Sequence, residues 1–182
     1  LIVEARDPYT RGHSERVAEY AAKIAAKMGF SREKEEALKC AALLHDIGKL
    51  GVHEELLRKA EKLTAEEWEK LRSHPVIGEE LLRPVLLDPE MLSIIRGHHE
   101  RYDGSGYPDK LAGADINIFT KILTVADAYD AMTSTRTYRG SLTREQAIEE
   151  LRKNRGTQFS PKVVEVFIRL LEEGPAEESG AN

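Results

Sequence analysis

Between Ile118 and Met132 the apolar residues Ile122, Leu123, Val125, Ala126, Tyr129 and Met132 recur at helical spacing, and in the middle of that run stands a carboxylate, Asp127. It follows Leu123 by four residues and precedes Asp130 by three, so it shares their face. A charge on such a face is costly to bury unless a counter-charge or a metal ion meets it. The fold must therefore bring a partner to Asp127. The same demand arises elsewhere. His45-Asp46 ends a second apolar run (Leu38, Ala41, Ala42, Leu44), His74 precedes Pro75 where two amphipathic segments meet, and His98-His99 ends a run that starts at Pro89 and passes Leu92 and Ile95. Adjacent histidines on a helix point about 100° apart. One centre can use both only where the helix ends, and Gly104, Gly106 and Pro108 come directly after.

The rest of the chain reads as helix and punctuation. Val17, Ala21, Ile24 and Met28 form a stripe stopped by Gly29, with Thr10 as N-cap and His13 in the first turn. Ser31 opens the helix that runs to His45-Asp46, and Gly48 breaks it, leaving Lys49 beside the pair. Thr64 to Glu67 and Thr143 to Gln146 are capping boxes, and Asp88-Pro89 and Ser160-Pro161 are further starts. No strand pattern competes. The fold is predicted to be all-α, a bundle of seven or eight helices, with residues 1–174 as one domain and 175–182 as a frayed tail. The loop from Glu100 to about Asn117 is long enough to need a functional reason for its order.

Composition narrows the function classes. A chain that is 41% hydrophobic and 32% charged folds as an ordinary globular domain, and a net charge of -5 argues against tracking polymeric nucleic acid. No apolar run is long enough to span a bilayer and no signal-peptide pattern opens the chain, so a cytoplasmic domain is expected. The single Cys40, among Ala41, Ala42, Leu43 and Leu44, reads as a buried small hydrophobe in a reducing compartment. The chain begins with Leu1, as an excised piece of a longer protein would.

The candidate ligands are His13, His45, Asp46, His74, His98, His99 and Asp127. Structural readings compete at each: a salt bridge for Asp127, and two cations at a helix end for His98 and His99. Together, five imidazoles and two carboxylates exceed what one ion needs and suit a two-metal site. The lack of clustered thiolates disfavours structural zinc or iron-sulfur and leaves iron, manganese, zinc or nickel. Lys49 suits a phosphate at that centre, as does the basic, hydroxylated stretch holding Arg136, Tyr138 and Arg139. His53, with no apolar setting, is left out.

At these residues the chain resembles a known family. His45-Asp46, with His13 upstream and Asp127 downstream, looks like the HD phosphohydrolase signature. The words HDIGK (45–49), HHERYDGSGYP (98–108) and VADAYDAMTSTRTYR (125–139) resemble the HD-GYP subgroup from about Asp7 to Phe167. The resemblance implies an all-helical phosphodiesterase that opens cyclic di-GMP to linear pGpG and continues to GMP. It implies two divalent ions, iron or manganese, one held by His13, His45, Asp46 and Asp127 and the other by Asp46, His74, His98 and His99, with a water or hydroxide between them as nucleophile. By the same likeness Lys49 contacts the scissile phosphate, while Arg136, Tyr138 and Arg139 bind phosphate or guanine. Asp103, Gly104 and the loop Gly106-Tyr107-Pro108 shape the pocket or a partner surface. Tyr9 stands where members with a third metal carry glutamate, which implies two ions here. A sensory or receiver module upstream, a diguanylate cyclase partner and a homodimer are the associations such a domain suggests. Two alternatives stay open: a cyclic di-GMP sensing or docking module with little turnover, and a phosphodiesterase for another cyclic dinucleotide.

Overall fold

The computed structural model describes residues 12–59, 61–134 and 140–173. Thr10, Tyr9, Ala60, the stretch with Arg136, Tyr138 and Arg139, and the tail lie outside the described residues. Among those described, eight helices of at least eight residues and one single-turn helix form, and no strand does. In chain order they are α1 (His13–Lys27), α2 (Arg32–Leu44), the short α3 (Glu54–Leu57), α4 (Ala65–Arg72), α5 (His74–Leu82), α6 (Pro89–Gly97), α7 (Ile118–Thr133), α8 (Arg144–Lys153) and α9 (Pro161–Glu173). A 3-10 turn, Ile47–Gly51, lies between α2 and α3.

Most boundaries fall where the local chemistry places them. Ser31, Thr64, Asp88 and Thr143 each accept a backbone N–H of the helix they open, and Thr64 and Thr143 form complete capping boxes with Glu67 and Gln146. Helix α1 ends in a Schellman motif: Gly29 N–H donates to the Ala26 carbonyl and Phe30 N–H to that of Ala25, with Gly29 at φ 82°. Its start is different from the reading by Thr10. Gly12, at φ 68°, is the N-cap and contributes no side-chain hydrogen bond.

Helices α1, α2 and α7 form the centre, with α9 against α1 and α6 against α2 and α7. Ala21 and Ala25 of α1 and Ala41 and Ala42 of α2 are buried, and such small side chains let two helices approach closely. Tyr20, Tyr129 and Phe167 fill the far side with edge-on ring contacts of 5.0–5.8 Å. Cys40 is exposed, contrary to the reading of its apolar neighbours. Two residues past Leu38 is about 200° around the helix, which turns Cys40 away from the face that Leu38, Ala41 and Ala42 bury. No helix is long and apolar enough to cross a membrane among the described residues.

Candidate metal centre

The candidate ligands come together from the ends of helices, Asp127 excepted. His13 begins α1, while His45 caps α2 and Asp46 comes next, so the pair sits just past the helix and not in its last turn. His74 begins α5, His98 caps α6 with His99 beside it, and Asp127 projects from the middle of α7. Gly48 does not break α2, which has already ended. It lets the 3-10 turn pass close to α5: a Cβ there would lie 1.8 Å from the His74 carbonyl oxygen and 2.5 Å from the Gly78 nitrogen. That approach sets His45 and Asp46 beside His74.

Among the described residues three groups of ligand-type atoms result, the atoms of each within 4.8 Å of one another: His13, His45 and Asp127; His74, His98 and His99; and His45, Asp46 and His98. The last joins the other two. Asp46 Oδ2 is 3.6 Å from His45 Nε2, while Oδ1 is 3.4 Å from His74 Nε2 and 3.9 Å from His98 Nε2. Lys49 donates to Asp46 Oδ2 at 2.6 Å. His53 is exposed and belongs to none of the groups.

The hydrogen bonding fixes which nitrogens face inward. Nδ1 of His45, His74 and His98 lies 2.6–2.7 Å from the carbonyl oxygens of Ala42, Leu71 and Ile95, three residues earlier in each case. A carbonyl only accepts, so each Nδ1 carries a proton and each ring turns its Nε2 to the centre; burial keeps His74 and His98 neutral, with Nε2 as a lone pair. His74 Nε2 and His98 Nε2 then oppose each other at 3.1 Å. Two lone pairs at that distance call for a cation between or beside them, and this donor set fits divalent metal ions that accept imidazole and carboxylate.

Electrostatics divides the cluster. Burial holds His74 below its ordinary value and His98 well below, and His99 is pushed down to about 4. His13 behaves oppositely: burial would lower it, but hydrogen bonds with Asp127 and Asp130 raise it to about 9. Asp46 is well below the carboxylate range; burial opposes this, and Lys49, His45, His74 and His98 outweigh it. For the metal-free chain the sign comes from linkage. The raised His13 contributes stability that is complete below pH 6.5 and lost as pH rises through about 9, whereas the depressed His99 and its two neighbours cost stability as pH falls below 6.5. Thermal melting in chelator should therefore show highest stability between these arms and a falling Tm toward pH 5; a flat profile over pH 5–9 contradicts the assignment.

Three structural residues have no role in the sequence reading. Asp130, buried on α7, accepts from His13 Nδ1 at 2.7 Å and from Arg16 Nε at 2.6 Å, and so orients His13. Its place on the Asp127 face is the signal that could have found it. Glu100, 1% exposed, accepts from the N–H groups of Asp109 at 2.7 Å and Leu111 at 3.1 Å. Arg96 adds a clasp, with a two-pronged bond to Asp109 and a third to Glu79 of α5. These bonds fold the loop back so that Gly106 packs on the backbone of residues 99–101, where a Cβ would lie 2.4 Å from the Arg101 nitrogen. Tyr107, next to a cis Pro108, stacks on His99 at 4.8 Å between centroids. Within the Gly106-Tyr107-Pro108 segment it is thus Tyr107 that meets the cluster, at His99. Asp103 and Gly104 are not gathered into it. Asp103 accepts from Ser105 and Arg101, its acidity raised to a pKa of about 2 by the Ser105 bonds, and its N–H bonds Thr157. Glu100→Gln leaves one of the two loop N–H groups facing an amide NH2, and should destabilise the chain by about 2 kcal/mol in urea denaturation. Unchanged stability rules out Glu100 as an anchor of the loop.

A helical domain whose imidazole and carboxylate side chains gather around an adjacent His-Asp pair has the donor set of a metal centre. The chain belongs to the HD domain family, whose model matches residues 1–163. It is similar to a cyclic di-GMP phosphodiesterase of Thermotoga maritima, 40% identical over 177 residues that make up 95% of this chain and 48% of that protein. It is similar also to 3'3'-cGAMP-specific phosphodiesterase 3 of Vibrio cholerae, 39% identical over 161 residues, 88% of this chain and 35% of that protein. The crystal structure of a cyclic GMP-AMP specific phosphodiesterase in V. cholerae aligns with a TM-score of 0.72 at 20% identity, covering 94% of this chain and 47% of that one, and shows the same fold. The chain spans about a third to a half of the length of these relatives.

Proposed function

We propose that this chain is the catalytic domain of a metal-dependent phosphodiesterase that hydrolyses cyclic di-GMP to linear pGpG, with GMP as a further product. The observation that carries the reading is the convergence of seven ligand-type side chains, linked through Asp46, beside a lysine. His13, His45 and Asp127 would hold one ion and His74, His98 and His99 the other, with Asp46 between the two groups. Two such ions, iron or manganese, supply Lewis acidity toward a phosphoryl oxygen and lower the pKa of an attacking water.

The chain's own residues do the rest. Nδ1 bonds to helix-end carbonyls hold three imidazoles in place before substrate arrives. Asp130 does the same for His13. Lys49, now on Asp46, turns part of its charge to a phosphate oxygen and neutralises what builds there as the bond from phosphorus to O3′ breaks. Tyr107 covers His99 and limits water from that side. The similarity to relatives named for cyclic di-GMP supports this substrate, and the relatives named for 3'3'-cGAMP make that dinucleotide the second reading. The sensory or receiver module, the cyclase partner and the second copy rest on the resemblance, and the cytoplasmic setting on the sequence.

Metal content and turnover measured on one anaerobically purified sample test the proposal. It requires two ions per chain, hydrolysis of cyclic di-GMP, loss of activity on chelation and its return with iron(II) or manganese(II). Two bound ions with no hydrolysis of either dinucleotide refute the enzyme and favour a sensing module.

A further inference from the structure

The Tyr107 ring that stacks on His99 also meets the guanidinium of Arg72, 5.4 Å from its centroid, and the same guanidinium lies 5.5 Å from the centroid of Trp68. Trp68 and Arg72 are four residues apart on α4, one above the other on the same face. Both are exposed, Trp68 at 45%. Among the described residues no carboxylate pairs with Arg72. A large aromatic left in water and a cation held by ring faces instead of an acid serve neither the core nor an ion-pair network. A guanidinium beside ring faces spends none of its N–H donors on an acid and keeps them for a further partner.

We propose that Arg72, backed by Trp68 and Tyr107, recognises a guanine base of the cyclic dinucleotide through its O6 and N7 acceptors and so sets the base preference of the site. The inference rests on the phosphodiesterase reading above. Tyr107 links Arg72 to His99, so the guanidinium stands about one ring beyond the imidazole cluster. A base reaches that far when its phosphate is held at the cluster, since one sugar separates the two. Arginine matches guanine O6 and N7 with two parallel bonds, whereas adenine presents an amino donor in place of O6. A phosphate site has no use for Trp68; a base stacks on such a ring.

The test is steady-state kinetics of the metal-loaded chain and its Arg72→Ala and Arg72→Lys variants on cyclic di-GMP, 3'3'-cGAMP and cyclic di-AMP, three substrates with one backbone and different bases. Arg72→Ala should raise KM for cyclic di-GMP about tenfold, with kcat little changed, and leave cyclic di-AMP unaffected. Arg72→Lys, which keeps the charge and loses the paired donors, should lose the same preference. Equal weakening for all three substrates, or rescue by lysine, overturns base reading in favour of a phosphate contact; no change in any KM overturns any contact. Should the unmutated chain turn over none of the three, the phosphodiesterase reading fails on its own. Calorimetric Kd values for the same nucleotides, in unmutated and variant chains, then decide the role of Arg72 separately: a tenfold loss for cyclic di-GMP alone supports it, and equal Kd values or no binding refute it.

Discussion

Replacing Asp46 with alanine should strip the centre of metal and lower turnover of cyclic di-GMP on the order of 10³-fold, the several kcal/mol that metal-based catalysis supplies. Asp46 is the only carboxylate of the three ligand groups that touches both halves: its two oxygens lie 3.4–3.9 Å from the Nε2 atoms of His45, His74 and His98. Without it the cluster keeps its imidazoles but loses its link and the negative charge that offsets divalent cations. Lys49 also loses the acceptor 2.6 Å from its ammonium and is left to repel them. The fold should survive, because the turn is held by backbone bonds such as Lys49 N–H to the Asp46 carbonyl, which alanine keeps. Circular dichroism, metal content and activity of one preparation check all three statements. A fully metallated, active Asp46→Ala protein refutes the two-metal assignment. His53→Ala, at an exposed residue away from the cluster, is the control and should leave turnover within about twofold of normal, as a surface change does.

Gly48→Ala should be nearly as damaging without touching a ligand. The added Cβ would meet the His74 carbonyl at 1.8 Å and the Gly78 nitrogen at 2.5 Å, and both are backbone atoms of α5 that no rotamer change can clear. Overpacking a tight contact costs about 1–3 kcal/mol, and backbone against backbone belongs at or above the upper end. For a chain of this size that is a drop in Tm of about 6–12 °C. Relief requires α5 to slide off the 3-10 turn, which carries His74 away from Asp46. Metal occupancy should therefore fall first in the half containing His74, His98 and His99, leaving about one ion per chain. Melting together with metal analysis checks this, and a variant with normal Tm and two ions would show that the turn and α5 are not coupled.

The helices and the side chains that cluster at the centre are legible in the sequence for the same reason: both are local patterns. Capping boxes at Thr64 and Thr143 and the prolines at positions 75, 89 and 161 state where helices begin, and a histidine or aspartate at the end of an apolar stripe states that something must meet it. What escapes such a reading depends on contacts between distant segments. Nothing around Glu100 shows that its carboxylate is buried, because the N–H groups it receives come from residues 109 and 111 after the chain has doubled back. Arg72 meets Tyr107 across 35 positions, so no window of sequence joins them. Cys40 is misread because a continuous apolar run hides which side of a helix faces inward. Gly48 reads as a helix breaker because a close approach leaves the same residue behind as a break does.

His45, His74 and His98 each sit just at or past the C-terminal end of one helix and donate to a carbonyl of its last turn. The imidazole finishes the helix with one nitrogen and offers the other to the centre. The aim of the ligand is thus fixed by the winding of the chain, and the receptor exists before any ion enters. Folding and metal uptake would then be separate events, the first complete before the second.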